Sequence, residues 1–589
     1  MTTSDPSEPE SARQNSGDET AGVDDISNQE PGVTEANSAD DKSRNRLGRA
    51  AVATLIGLVL VGLLQWNASE TDHQFSNMAT VLLVFLIGGY VLFQIHCLTR
   101  MRWNSFVVPG AGLLVIAGFI GMWEFEGFSG ELVPQFSFRF GNTRPAMQSV
   151  ESDAGPENDR GGVPGNEEKD SSVALAAYGG FLGDERTAVI AERHFDVPAS
   201  VDEVKVLWRQ GLGDGWAAFA VSGDKAVTLE QRDEEECLTC YRLGDGALLW
   251  MIKHQTRHEN LMGGVGPRST PTIVGNRVFA QGATGVLWCV DLPTGELVWS
   301  IDLVEQAGWS QAESEAMISW GRAASPLIID DGICVVPFGG PEQNREPGRS
   351  LIALDVSSGK VLWTAGEDQI SYASPVLLNL GGKRQIVSVN ESTITGHDID
   401  DGSVLWKTSW PGQSNGGANC ASVVPVGDSR FLIGKGYGGG SALYEVKQSD
   451  GQWIVDEIWK SNRVLKTKFT HAAVKGEVAF GISNGALEAV RLEDGERQWI
   501  QSRRSRLGQG QIVVVDDVIV GQAENGEVVL VAADSEDYRE LLRMPALNTK
   551  TWNVPSIAGR HLLVRNDREV ICFLLPGLDR ESAVDADRQ

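Results

Sequence analysis

The feature that most constrains this chain is a short phrase written five times. Val290-Asp291-Leu292-Pro293-Thr294-Gly295-Glu296-Leu297-Val298-Trp299 reads as a strand ending on Asp, a tight turn closed by Gly, and a second strand carrying Trp. The same order returns at Asp355, Gly359 and Trp363, and at Asp398, Gly402 and Trp406. It returns again at Gly246 and Trp250 and at Gly495 and Trp499, with Arg242 and Arg491 in the Asp position. An Asp side chain accepts from the backbone N–H groups of the turn that follows it. Gly takes the positive-φ position that closes a short hairpin. Trp brings a large apolar ring and one N–H, suited to filling a seam between two sheets. One copy makes a hairpin, and five make a repeat protein.

The spacing says which kind. Trp208 to Trp250 is 42 positions, Trp363 to Trp406 is 43, and Trp459 to Trp499 is 40. A period of roughly 40–50 residues with several short strands per unit predicts a β-propeller, an all-β fold of four-stranded antiparallel blades. Units end at Trp250, Trp299, Trp363, Trp406, Trp459 and Trp499. A seventh, at 528–533 followed by Asp537 and Leu541, has lost its Trp. Segments 552–564 and 570–574 supply three inner strands but no outer one, and Val204-Lys205-Val206-Leu207-Trp208 can provide it. This predicts eight blades over 187–577, closed by the early strand, which removes the exposed edges of an open array. Seven blades is the alternative if the 499–541 unit is irregular.

The repeat resembles that of the pyrroloquinoline-quinone (PQQ) type propellers, over residues 201–575. That family includes quinoprotein dehydrogenases and the non-enzymatic outer-membrane-assembly lipoprotein BamB. Aligning the inner strands places one residue per blade at the channel entrance: Trp216, Arg268, Arg322, Tyr372, Asn419, Lys468, Gln509 and Trp552. Either these loop residues satisfy neighbouring blades, or they form a ligand mouth where inner strands converge. An aromatic and cationic ring suits an anionic, ring-bearing or peptide ligand.

For an enzyme, the resemblance implies a planar tricarboxylate stacked between a Trp and a vicinal disulfide, with an Asp base. A Ca²⁺ on oxygen ligands polarises the cofactor. Trp216 or Trp552 offers a stacking floor, and Arg268 or Lys468 could meet carboxylates. Yet none of Cys97, Cys237, Cys240, Cys289, Cys334, Cys420 and Cys572 are adjacent, and there is no Cys-x-x-Cys-His for haem. The expectation is therefore a non-catalytic platform without cofactor, with a PQQ- and Ca²⁺-dependent oxidoreductase as the alternative.

Three other motifs lead to little. Cys237-Leu238-Thr239-Cys240 has redox spacing but lies on an expected strand, without the helix N-terminus that lowers a thiol pKa. One pair also falls short of a zinc site, and whether the two thiols pair as a disulfide stays open. Gly434-Lys435-Gly436-Tyr437-Gly438-Gly439-Gly440 looks like a phosphate cradle but has no strand-to-helix context, so it reads as a blade loop. His471 faces either the channel or the core.

The chain ahead of the propeller differs in kind. Residues 1–45 are polar and acidic, with too little apolar surface to offset ordering, and read as a disordered tail. Three runs free of Asp, Glu, Lys and Arg follow, at 50–66, 78–98 and 106–123. Each approaches the roughly 20 residues that span a bilayer, with Trp66, Trp103 and Trp123 at the edges. Lys42, Arg44, Arg46 and Arg49 precede the first run, and Arg100 and Arg102 follow the second. The positive-inside rule then puts the N-terminus in the cytoplasm and the propeller outside it, as in a bacterial inner-membrane protein. Residues 124–186 read as a tether with a short helix around 172–178, and 578–589 as a tail. Net charge is -29, which argues against nucleic acid or an anionic lipid surface as the main partner. The partners expected are the bilayer through three helices and a protein or cell-envelope component.

Overall fold

The computed structural model describes residues 32–67, 73–99, 114, 117–140, 146–148, 177–340 and 349–578. The expected tail over 1–31, most of the third apolar run, residues 149–176 and residues 579–589 lie outside these. The described residues fall into two compact units. Those up to 59 and from 84 to 99 belong to one, and those from 60 to 83 and from 114 onward belong to the other.

Helix α1 covers Gly32–Asn67 and helix α2 covers His73–Thr99. Within them, Arg44–Trp66 and His73–Ile95 are long and apolar enough to cross a membrane. At 1.5 Å per residue each matches a hydrocarbon core of about 30 Å. Leu55, Leu58, Leu86 and Phe93 are exposed along them. Gly57 lies against Ile87 so closely that a Cβ would collide with it, so the small residue lets the two helices approach. Two such helices, not the expected three, are present among the described residues. In the third run, residues 117–122 are helical and Trp123 already begins a strand. Helix α1 also starts inside the stretch expected to be disordered. Extending an existing helix adds a bond per residue without a new nucleus.

The propeller has eight blades, each a four-stranded antiparallel meander. Blade 1 runs from Ala220–Ser222 to Leu248–Gln255, blade 2 from Thr272–Val274 to Leu297–Asp302, and blade 3 from Leu327–Ile329 to Val361–Ala365. Blade 4 runs from Val376–Leu380 to Val404–Ser409, blade 5 from Val424–Val426 to Gln452–Ser461, and blade 6 from Ala472–Lys475 to Arg497–Ile500. Blade 7 runs from Gln511–Val515 to Glu540–Pro545. It is regular despite its missing Trp, so eight blades stand and seven do not. Blade 8 takes Ser556–Ala558, His561–Arg565 and Glu569–Leu574 and completes itself with β5 (Lys205–Gly211). There Trp208 pairs with Cys572 in the ladder, which is the closure expected from the sequence.

The repeated phrase does what its residues allow. Each of the eight outermost strand pairs carries a register shift at the same place, as between Cys289 and Val290 or Ala353 and Leu354. Asp355 accepts from Ser358 N (2.8 Å), and Asp291 accepts from Thr294 N (3.2 Å). Where Arg242 and Arg491 replace the Asp, the carboxylate has moved into the turn as Asp245 and Asp494, each paired with its Arg. The Trp of one blade packs on the turn Gly of the next. A Cβ on Gly359 would sit 2.7 Å from Trp299, and its φ of +69° already excludes most side chains. Gly246, Gly295, Gly402 and Gly495 stand likewise over Trp208, Trp250, Trp363 and Trp459. The indole N–H groups then donate across the seam, Trp299 to Val356 O (2.8 Å) and Trp250 to Leu292 O (2.9 Å). Trp406 departs from this and donates to Gln385 Oε1 in its own blade (2.5 Å). The next blade has a hairpin of two ten-residue strands instead of the short turn.

The channel is filled from within. β3 (Ala177–Tyr178) adds inside blade 1, and β4 (Val189–Ile190) pairs parallel to the innermost strand of blade 7. Tyr178 is a strand residue because that inner edge offers ladder bonds, so the expected short helix does not extend to it. Between the two strands, Arg186 donates to Pro326 O (2.6 Å) and Ser325 O (2.8 Å) of blade 3. Part of the expected tether is therefore the plug of the propeller.

Candidate functional site

At the channel mouth the eight aligned residues divide into two groups. Arg322, Asn419 and Arg268 are the first. Arg322 Nη1 donates to Phe338 O (2.8 Å) while its guanidinium lies over Trp309. Asn419 Nδ2 donates to the carbonyls of Asn390, Glu391 and Trp410. Arg268 donates to Trp320 O (2.8 Å) and Gly263 O (2.7 Å). Burial pulls both Arg268 and Arg322 down to about 10. These three tie blade loops together. Tyr372 joins them through its ring contact with Trp320 and its hydroxyl, which donates to Ser414 O (2.9 Å).

Trp216, Trp552, Lys468 and Gln509 form the second group, around a segment the sequence did not place here. β1 (Trp123–Phe128) and β2 (Pro134–Phe138) make a two-stranded hairpin whose tip, Ser129-Gly130-Glu131, enters the mouth. Glu131 Oε2 meets Lys468 Nζ at 3.0 Å, and Gln509 Nε2 donates to Glu131 Oε1 (2.5 Å). Gly130 N donates to Glu524 Oε1 (2.5 Å), which also accepts from Trp552 Nε1 (2.8 Å). Gln509 N donates to the other oxygen of Glu524 (3.0 Å). Trp216 and Trp552 lie 4.7 Å apart, centroid to centroid, with Lys550 Nζ 4.2 Å from the Trp552 ring. Lys550 donates in turn to Phe128 O (2.9 Å), and burial lowers its pKa.

Below the tip, Arg568 holds Glu126 of β1. Burial pushes that carboxyl up, but hydrogen bonds from Arg568 and Ser137 and the Arg568 charge outweigh it, so its pKa is lowered. On the other side, the first turns of α2 reach the tip. Gln74 Nε2 donates to Gly130 O, and Asn77 Nδ2 donates to Glu131 O, both at 2.8 Å. Sequence reading missed Glu131, Glu524 and Lys550 because they lie outside the repeat phrase. The available signal was the alternation of aromatics in Trp123-Glu124-Phe125 and Phe136-Ser137-Phe138 around a Ser-Gly turn, which is a hairpin pattern.

A match to the family described as "Outer membrane protein assembly factor BamB" covers residues 196–319 and 234–501. The chain belongs to this family. A Yersinia pestis protein with that description is 26% identical over 291 residues, covering 48% of this chain and 63% of the relative. The chain thus spans less than two thirds of that relative's length. Among solved structures, BamB from Moraxella catarrhalis aligns with a TM-score of 0.42 and 16% identity, over 63% of this chain and 100% of that one. Quinohemoprotein alcohol dehydrogenase from Comamonas testosteroni aligns with a TM-score of 0.49 and 12% identity, over 71% and 83%. Such likeness concerns fold alone.

The residues at the mouth do not fit PQQ. Trp216 and Trp552 lie against each other with their rings tilted by 38°, Lys550 covers the Trp552 face, and Lys468 is engaged by Glu131. Among the described residues no group of three or more His, Cys, Asp or Glu side chains is arranged to hold a metal. Cys237 and Cys240 are free thiols on one strand, and burial pushes both up to about 12. The Gly434 to Gly440 stretch joins two strands of blade 5. His471 is buried edge-on to Phe181, and burial lowers its pKa to about 4.

Proposed function

We propose that this chain is a membrane-anchored, non-catalytic propeller platform that binds a protein or cell-envelope partner outside the cytoplasm. The observation that carries this reading is the state of the mouth. Its cation, amide and aromatic groups engage the chain's own hairpin tip and one another. Membership of the BamB family supports it. The two apolar helices serve as the anchor in an inner membrane. The basic residues at 42–49 and 100–102 flank their cytoplasmic ends, by the positive-inside rule. The hairpin tip bonds to Gln74 and Asn77, at the opposite end of α2 from Arg100, so the propeller belongs on the extracytoplasmic side. In this reading the run 106–123 returns the chain there.

Two measurements test the reading. With full-length protein in detergent, PQQ plus Ca²⁺ is expected to leave the Tm unchanged and to produce no alcohol-dependent dye reduction. A rise in Tm with turnover would replace the platform with a quinoprotein oxidoreductase. In spheroplasts, an impermeant thiol label should reach Gly165→Cys and miss Ser16→Cys, and the reverse pattern would overturn the anchor.

A further inference from the structure

The hairpin tip differs from the rest of the channel filling in how it is held. β3 and β4 join blades through ladder hydrogen bonds. β1 and β2 pair only with each other. Among the described residues, no backbone-to-backbone hydrogen bond links 123–138 to a blade. The tip is docked by side chains, as a bound peptide is. A lone two-stranded hairpin is marginally stable in water, and Phe125, Phe136 and Phe138 are exposed on this one.

The receiving surface is built for a specific short sequence. Lys468, fully buried, and Gln509 pinch a carboxylate. One residue earlier, Glu524 accepts a backbone N–H, and any Cβ would collide with Gln509 and Phe469. The cleft thus reads Gly followed by Glu. Gln509 Oε1 is buried without a hydrogen-bond partner, so the pocket keeps one polar atom that the present occupant does not satisfy.

We propose that the mouth is a recognition site for an acidic peptide loop bearing Gly-Glu, filled in cis by Gly130-Glu131, for which a loop of a partner protein competes. This deepens the platform reading and rests on it. A partner loop would displace the tip and take over the Lys468 and Gln509 contacts. Release of the tip would also free Gln74 and Asn77 of α2 from Gly130 and Glu131, so occupancy of the mouth is coupled to the membrane end of the chain.

The test uses full-length protein in detergent and a fluorescein-labelled peptide matching residues 125–134, followed by anisotropy. Glu131→Ala should bind the peptide at least about tenfold tighter than the unsubstituted chain, because the occupant in cis has lost its carboxylate. Adding Lys468→Met should remove that gain, as should a peptide with Gln in place of the Glu that matches Glu131. Gly130→Ala displaces the tip by collision while leaving the cradle intact, and should show the same gain if Glu131→Ala fails to fold. Peptide binding by neither variant would overturn the proposal. If PQQ with Ca²⁺ then leaves the Tm unchanged, only this inference falls. If it raises the Tm and supports turnover, the platform reading falls too.

Discussion

At six of the blade seams a tryptophan indole donates to a carbonyl of the next blade, from Trp208, Trp250, Trp299, Trp363, Trp459 and Trp499. At the axis the contacts are all different. Arg186 reaches two carbonyls of blade 3, Phe181 packs on His471, and Glu131 bridges Lys468 and Gln509. The seams are built from the repeat, and the axis is filled by segments from outside it. A repeated seam spreads stability over many equal joints. An axis filled once can be specialised without disturbing the ring.

The contrast can be broken most sharply at the closure. Deleting residues 204–208 removes most of β5 and leaves Glu569–Leu574 as a bare edge, which should convert monomer into aggregate by light scattering. A deletion that stays monomeric with an unchanged Tm would show that the ring does not depend on this joint. At a single seam, Trp299→Ala should cost about 3–5 kcal/mol in denaturant unfolding. Trp299→Phe, which chiefly loses the bond to Val356 O, should cost about 1 kcal/mol. The penalty of Gly359→Ala should shrink in the Trp299→Ala background, because the indole it strikes has gone. Additive penalties would mean that the Trp and Gly are not one joint.

At the axis the expected signature is acid sensitivity. The folded-state pKa of His471 is lowered to about 4 from 6.5, by burial. Its neutral form is therefore favoured by the fold. Its contribution to stability is complete above about pH 6.5 and is lost as pH falls toward 4. His471→Phe should flatten that slope, with a difference on the order of 3 kcal/mol at the acid end. Parallel pH profiles for the two proteins would remove His471 from the account. The smallest effect belongs to the turns, where the Arg491–Asp494 pair is exposed. Arg491→Ala should leave the denaturation midpoint where it is, and a clear loss would make the displaced turn carboxylate more than a surface detail.

Much of the ring could be read in the sequence, since Asp, Gly and Trp recur at positions where a turn, a positive φ and a seam each select one residue type. The closure by β5 was readable for the same reason, as an outer strand with Trp208 and no blade of its own. Blade 7 looked degraded because its Trp is absent, yet pairing of Glu527–Ala532 with Glu540–Pro545 needs only alternating apolar residues. The mouth was half legible. Alignment found Lys468, Gln509, Trp216 and Trp552, but it could not find Glu131, more than 300 positions away from its partners. Nothing local to 129–131 encodes a long-range contact, so composition alone read the stretch as a tether.

The clasp between β5 and Glu569–Leu574 also sets an order of events during synthesis. Residue 205 leaves the ribosome long before residue 574, and at about 5–20 residues per second the gap is on the order of tens of seconds. Throughout that interval β5 lacks its blade 8 partner strand, while the seven blades between the two halves of the clasp can form in turn. The last blade is a lock that only the finished chain can turn.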